Sequence, residues 1–286
     1  MKKNNWLKIA VVCVAGAACL SGQFDLKGVD WGQLGKDVIQ AARPLNQDEE
    51  IALGRQVAAR LAGTFGVWKD EAWTEEINII GRVLVPYSER PDMKYRFAIL
   101  NTDDVNAYSA PGGYIFISKG MLKQVESEAE LAGILGHEIA HVANKDVVRE
   151  IQKSNLWKTG AKVAISGTEL SPEQQELLNN MTNASWDTLV VKGLSKADEF
   201  KADQDGTVDA RKLGYDSYGL YYFIQRLEPL EKKPGEDLRR LFSTHPKPSE
   251  RSGRLKQYFD NKGWGKNDLP ECKDRLKNFK ANHPVP

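Results

Sequence analysis

The chain has 286 residues, 41% of them hydrophobic, and a formal net charge of +1. That is enough apolar material for one sizeable domain, or a domain with a helical appendage. The near-neutral charge leaves no basic excess for holding nucleic acid, so no nucleic-acid partner is expected.

Lys2, Lys3 and Lys8 precede an apolar run over 9–18. The run is too short to span a bilayer but long enough for the core of a secretory signal, so 1–18 is expected to direct export to a bacterial cell envelope. Small residues then lead to Cys19 in VAGAACLSG, which resembles a lipoprotein box except that Gly16 stands where a larger aliphatic residue is usual. Lipidation at Cys19 is therefore expected; cleavage among 15–22 and an uncleaved anchor are the alternatives. Cleavage at Cys19 removes Cys13 and three lysines, leaving a net charge of −2, Cys272 as the one unmodified thiol and no internal disulfide. Nothing after residue 20 approaches a spanning length of apolar residues, so membrane attachment is expected only through that lipid and the location is periplasmic.

Residues 19–45 carry Gly, Asp and Lys with little periodicity and read as a tether. Ile51, Leu53, Val57 and Leu61 predict a helix over 46–65 capped near Asn46 or Asp48, and 73–85 predicts another that closes at Pro86. The stretches 95–100 and 114–118 read as short strands, the second entered through the turn signal Pro111-Gly112-Gly113. Ser127 and Glu130 form a capping box, and Leu131, Ile134, Leu135, Ile139, Val142 and Val148 recur at helical spacing to about Ile151. Residues 155–195 read as a helical insertion, 195–213 as a charged helix, 218–227 as a helix with aromatic core positions, and 266–286 as a charged C-terminal tail.

Inside the helix expected from Ser127 to about Ile151 stands HEIAH, residues 137–141. On a helix His137 and His141 are i and i+4, so both imidazoles leave one face and can grip one cation. Glu138 lies one step round, near enough to handle the water that such a site activates without being a ligand. Two histidines leave a catalytic zinc short of a third protein ligand. Besides His245 and His283, the chain offers Glu199 and Asp203 at i and i+4 in DEFKAD. One carboxylate can bind the metal while the other accepts the free N–H of a liganding imidazole.

HEIAH followed by E-F-x-A-D resembles the gluzincin zinc metallopeptidases that include the CAAX prenyl protease, the heat-shock protease HtpX and their soluble envelope relatives. NAYSAPGGYIFISKGML at 106–122, LGYD at 213–216 and STHPKPSER at 243–251 are similar to further family segments in the family's order, and together they cover roughly 46–260. One departure is VANKD at 142–146, where many members carry a further histidine. The resemblance implies an α+β, mostly helical fold: a zincin-like domain over 46–265 with a small β-sheet beside the motif helix. It also implies one zinc ion held by His137, His141 and Glu199, with Asp203 supporting a ligand.

On this reading Glu138 is the base, and His245 and Arg251 bring positive charge to the oxyanion. Asn106, Ala107 and Tyr108 form a rail along which an extended substrate peptide pairs, and the 155–195 insertion covers the cleft. The expected activity is zinc-dependent endopeptidase action on unfolded or misassembled envelope proteins. The alternative is a zinc-stabilised chaperone or adaptor that binds proteins without cleaving them; structural sites rich in Cys, which this one is not, would favour it.

Overall fold

The computed structural model describes residues 45–153, 170 and 172–286. The expected signal, Cys19, the tether up to residue 44 and residues 154–169 of the insertion lie outside the described residues.

Helix α1 (Gln47–Phe65) starts at Asn46, whose side chain accepts from Glu49 N while the Glu49 carboxylate accepts from Asn46 N, a complete capping box. Helix α2 (Glu71–Leu84) is capped by Asp70 and gives way to a 3-10 turn containing Pro86. Three short strands follow: β1 (Arg96–Leu100), β2 (Ala107–Ala110) and β3 (Tyr114–Ser118). Their order is β1-β3-β2, with β1 parallel and β2 antiparallel to β3, so β2 is an edge strand.

The sheet sits between two hydrophobic clusters, which is the period of two at work. Phe97, Ile99, Ile115 and Ile117 face one cluster, with α2 and the motif helix, whereas Leu100, Tyr108 and Phe116 face the other, with α1. The β2–β3 turn uses Gly112 and Gly113 at φ +73° and +88°. A Cβ on Gly112 would lie 2.6 Å from Ile51 Cα, so glycine is required there twice over.

After α3 (Lys119–Gln124), the motif helix α4 (Glu128–Ala143) is capped by Ser127, which accepts from Glu130 N. All 16 of its residues are buried. The reciprocal half of the expected box is different: the Glu130 carboxylate accepts from Glu126 N and binds Arg226. The helix also ends earlier than Ile151. It breaks at Asn144, Lys145 turns left-handed at φ +57°, and a separate helix α5 (Asp146–Lys153) begins.

Of the insertion, α6 (Pro172–Trp186) and a π turn (Asp187–Lys192) are described. Then come α7 (Lys196–Leu213), capped by Ser195, α8 (Gly219–Leu227), α9 (Arg239–Thr244) and α10 (Pro248–Lys262). The stretch expected to be a tail beyond residue 265 forms α11 (Lys273–Asn282) instead. Leu276 is fully buried in the first cluster, and His283 O accepts from the buried Trp73 indole N–H. Its single buried apolar position is too little periodicity to be read as a packed helix from sequence. No helix among the described residues is long and apolar enough to cross a membrane.

Candidate metal centre and active site

Two glycines let the chemistry assemble. Helices α4 and α7 cross at Gly136 and Gly206, where a Cβ on Gly206 would lie 2.4 Å from His137 N and one on Gly136 2.8 Å from Gly206 O. Backbone therefore meets backbone at the crossing, and the face of α7 bearing Glu199 and Asp203 comes up against the face of α4 bearing His137 and His141.

His137 Nε2 and His141 Nε2 are 3.0 Å apart, with their rings nearly perpendicular. Glu199 Oε1 lies 3.6 Å from His141 Nε2, and Oε2 lies 3.7 Å from both His137 Nε2 and His245 Nε2. Glu199 is buried at 2% exposure, and its Oε2 has no hydrogen-bond partner. Donor atoms from His137, Glu199 and His245 all lie within 4.8 Å of one another.

The donor set fits a zinc-like ion. Ligands at about 2.0–2.1 Å in a tetrahedron stand roughly 3.3 Å apart, which is the range of separations between these nitrogens and oxygens. An orphaned buried carboxylate oxygen facing imidazole nitrogens is otherwise costly.

Each imidazole of α4 has a carboxylate behind it. His137 Nδ1 makes an ion-pair contact of 2.9 Å with Asp203 Oδ1, short but poorly aligned for a hydrogen bond. His141 Nδ1 is hydrogen-bonded to Asp146 Oδ2 at 2.6 Å. Burial opposes a charged imidazole at His141, but Asp146 first, then Glu199 and Glu138, raise its pKa to about 9. Burial likewise opposes charge on Glu199, yet His245, His141 and His137 bring its carboxyl below the ordinary value. The field that favours a proton on His141 equally favours a divalent cation between the rings.

The expected site residues fall as follows. Glu138 is buried on α4 and lines two small cavities, one with His137, His245 and Arg251 and the other with His141, Glu199 and Tyr108. Arg251, expected near the oxyanion, lines the first of these cavities, and its guanidinium is held by Asp203. Its Nε and Nη2 donate to Asp203 Oδ2 and Oδ1 at 3.0 and 2.6 Å, and this pair holds the Asp203 carboxyl well below the usual range against its burial. His245 caps the end of α9, with Nδ1 3.2 Å from Leu241 O. The same Nδ1 lies 3.0 Å from Thr244 Oγ1; with the proton on Nδ1 for the Leu241 carbonyl, which can only accept, the Nε2 lone pair turns towards Glu199. Burial brings the His245 pKa below its ordinary value, and Glu199 only partly offsets it.

Ala107 and Tyr108 lie on edge strand β2 and Asn106 immediately precedes it, beside α4, but all three are buried. Ala107 N already donates to Asn106 Oδ1, and Tyr108 stacks on Phe65 at 5.8 Å. Thr188, Leu189, Gly193 and Leu194, from the part of the insertion that is described, line the same cavity as Ala107 to Ser109.

Asp146 was missed by sequence reasoning. Only the polar Asn-Lys pair interrupting the apolar period after Ala143 hints at the break that brings it back to His141.

Two imidazoles and a carboxylate gathered by crossing helices, with a glutamate beside them and a strand edge alongside, are an arrangement that suits metal-dependent hydrolysis. Residues 71–258, more than half of the chain, match Peptidase family M48, and the chain belongs to that family. It is 26% identical over 218 residues to the beta-barrel assembly-enhancing protease of Yersinia pestis, covering 74% of this chain and 44% of that protein. It is 25% identical over 263 residues to metalloprotease YcaL of Escherichia coli (strain K12), covering 89% of this chain and 97% of that one. With mitochondrial metalloendopeptidase OMA1 of Arabidopsis thaliana it shares 27% identity over 200 residues, 66% of this chain and 39% of that protein. The chain thus spans less than half the length of the first of these relatives. Family membership places the chain among the metallopeptidases.

Proposed function

We propose that this chain is a zinc-dependent endopeptidase that clears unfolded or misassembled proteins from the bacterial cell envelope, with zinc held by His137, His141 and Glu199. The observation that carries the reading is the buried, unpartnered Glu199 Oε2 facing the imidazole nitrogens at 3.7 Å. Zinc bound there supplies a Lewis acid that acidifies water and polarises the scissile carbonyl.

The chain's own groups do the rest. Glu138 takes the proton from the attacking water and delivers it to the departing amine nitrogen, a relay that works because its carboxylate shares both cavities with the ligands. Asp203, gripped by Arg251, holds His137 in orientation. His245 stands at the mouth, where its Nε2 is within reach of the same carboxylate as the ligand nitrogens. Strand β2 is the substrate rail. Ala107 and Ser109 are its outward positions, because Asn106 already pairs with Ser118 and the ladder alternates. A peptide gains the rail only when the 188–194 segment moves off it and the Asn106 carboxamide releases Ala107 N.

The envelope assignment is supported by the secretory pattern at the N-terminus, with lipid at Cys19 and a periplasmic location, and by relatives named for β-barrel assembly. Casein turnover tests the activity. Parent protein should cleave it, and Glu138→Gln should not while still holding zinc. Casein binding without cleavage by the zinc-loaded parent would favour the adaptor reading.

A further inference from the structure

The two imidazoles of the motif helix have matching supports. Behind His137 stands Asp203, and behind Asp203 stands Arg251. Behind His141 stands Asp146 at 2.6 Å, and behind Asp146 stands Arg149, whose Nη2 is 2.6 Å from Asp146 Oδ1. Asp146 is as buried as its counterpart, at 2% exposure against 1% for Asp203. We propose that Asp146 is the positioning residue for His141, fixing its ring so that Nε2 faces the metal, and that the helix break at Lys145 exists to bring it there.

The geometry requires the break. On an uninterrupted helix a residue five positions on is turned roughly 140° away from His141, out of reach of its Nδ1. Lys145 at φ +57° ends the helix and restarts it at Asp146, so the carboxylate folds back onto the ring. A lysine pays a steric penalty in that conformation that glycine does not, and such strain persists only where surroundings hold it. Here they do: Lys145 Nζ lies 3.3 Å from the fully buried Glu50, and Arg149 donates to Asn144 O at the end of α4.

Arg149 also reaches Asp198 Oδ1 at 2.5 Å, the residue immediately before Glu199. The support of one ligand is thereby tied to the first turn of the helix that carries another. The two supports differ in exposure, because the Arg251 side chain is buried whereas that of Arg149 is 42% exposed. The His137 arm is therefore sealed, and the outer end of the His141 arm meets solvent and salt.

The proposal rests on His141 being a metal ligand, and the test keeps the two ideas apart. Zinc affinity of the full chain is measured by competition with a chromogenic chelator, and the absorption bands of the cobalt-loaded protein report ligand geometry. Asp146→Asn, nearly isosteric, should bind zinc about 10- to 100-fold more weakly and shift the cobalt bands. Asp146→Glu, which restores a carboxylate, should recover part of the affinity. Arg149→Gln, on a partly exposed side chain, should weaken zinc only a few-fold, and less at high salt. Zinc affinity in Asp146→Asn within twofold of the parent, with unchanged cobalt bands, overturns the positioning role while leaving the metal centre standing. A parent chain that binds no zinc at all overturns the metal centre itself, and this proposal with it.

Discussion

Gly206→Ala adds one methyl group, and the structure says where it goes: 2.4 Å from His137 N, 2.6 Å from Gly136 C and 2.9 Å from His137 Cα. Carbon and nitrogen atoms in comfortable contact stand roughly 3.5 Å apart, so α4 and α7 must separate by about 1 Å. Both walls are backbone, and neither has a rotamer with which to give way. Overpacking of this kind costs about 1–3 kcal/mol, against a gain of about 0.5–1 kcal/mol for alanine over glycine in a helix, so the middle of the two ranges leaves a net loss of about 1 kcal/mol. The displacement matters more for function than for stability. His137 sits on one side of the crossing and Glu199 and Asp203 on the other, and a shift of about 1 Å in a positioned group costs about 100-fold in catalysis. Urea unfolding should show a lower midpoint, and chelator competition a weaker zinc site. Gly63→Ala is the matched control, since an added Cβ there meets nothing within 4 Å, and it should raise the midpoint instead. A Gly206→Ala protein with the parent's midpoint and zinc affinity would refute the claim that bare backbone at this crossing sets the ligand geometry.

Glu199→Ala should lose zinc by metal analysis and unfold at lower temperature, since ligand loss is coupled to the fold; full zinc content would pass the third position to His245. His245→Ala separates two roles by steady-state kinetics. If the residue donates to the oxyanion, kcat should fall about 100-fold with KM little changed, and if its Nε2 closes the site, activity should rise. Unchanged kcat and KM would return it to an ordinary loop histidine. Asp209, pushed up to about 6 chiefly by burial, lends the fold stability that is full below its unfolded pKa near 3.8 and lost as pH rises to about 6. Asp209→Asn keeps an acceptor for Lys212 without the charge, so it should melt higher than the parent at pH 7, with the difference gone by about pH 4.

Much of this was legible because short-range signals coincide with long-range roles. Asn46, Ser127 and Ser195 cap the helices they were expected to open or precede, and Pro111-Gly112-Gly113 makes its turn. HEIAH and EFKAD each lie on one helix, where spacing alone dictates the facing side chains. What sequence reasoning did not deliver depends on contacts between distant segments. Arg251 carries no local mark of being spoken for by Asp203, 48 positions away. Gly136 and Gly206 did leave a trace, since a glycine inside a helix is unfavourable unless something must approach it closely. Helix α11 buries a single leucine, so its docking shows only in three dimensions.

That docking has a consequence for the order in which the enzyme comes into being. The first turn of the motif helix is completed by residues that follow it by more than a hundred positions: Glu271 O accepts from Ala129 N, and Arg275 pairs with the buried Glu128, which Tyr215 also binds. Until those residues are made and delivered, Glu128 lacks its arginine, and a buried unpaired carboxylate is among the costlier defects a fold can carry. HEIAH therefore sits in a helix whose start depends on residues far downstream. The first turn of the motif helix is finished only when residues 271–275 dock against it.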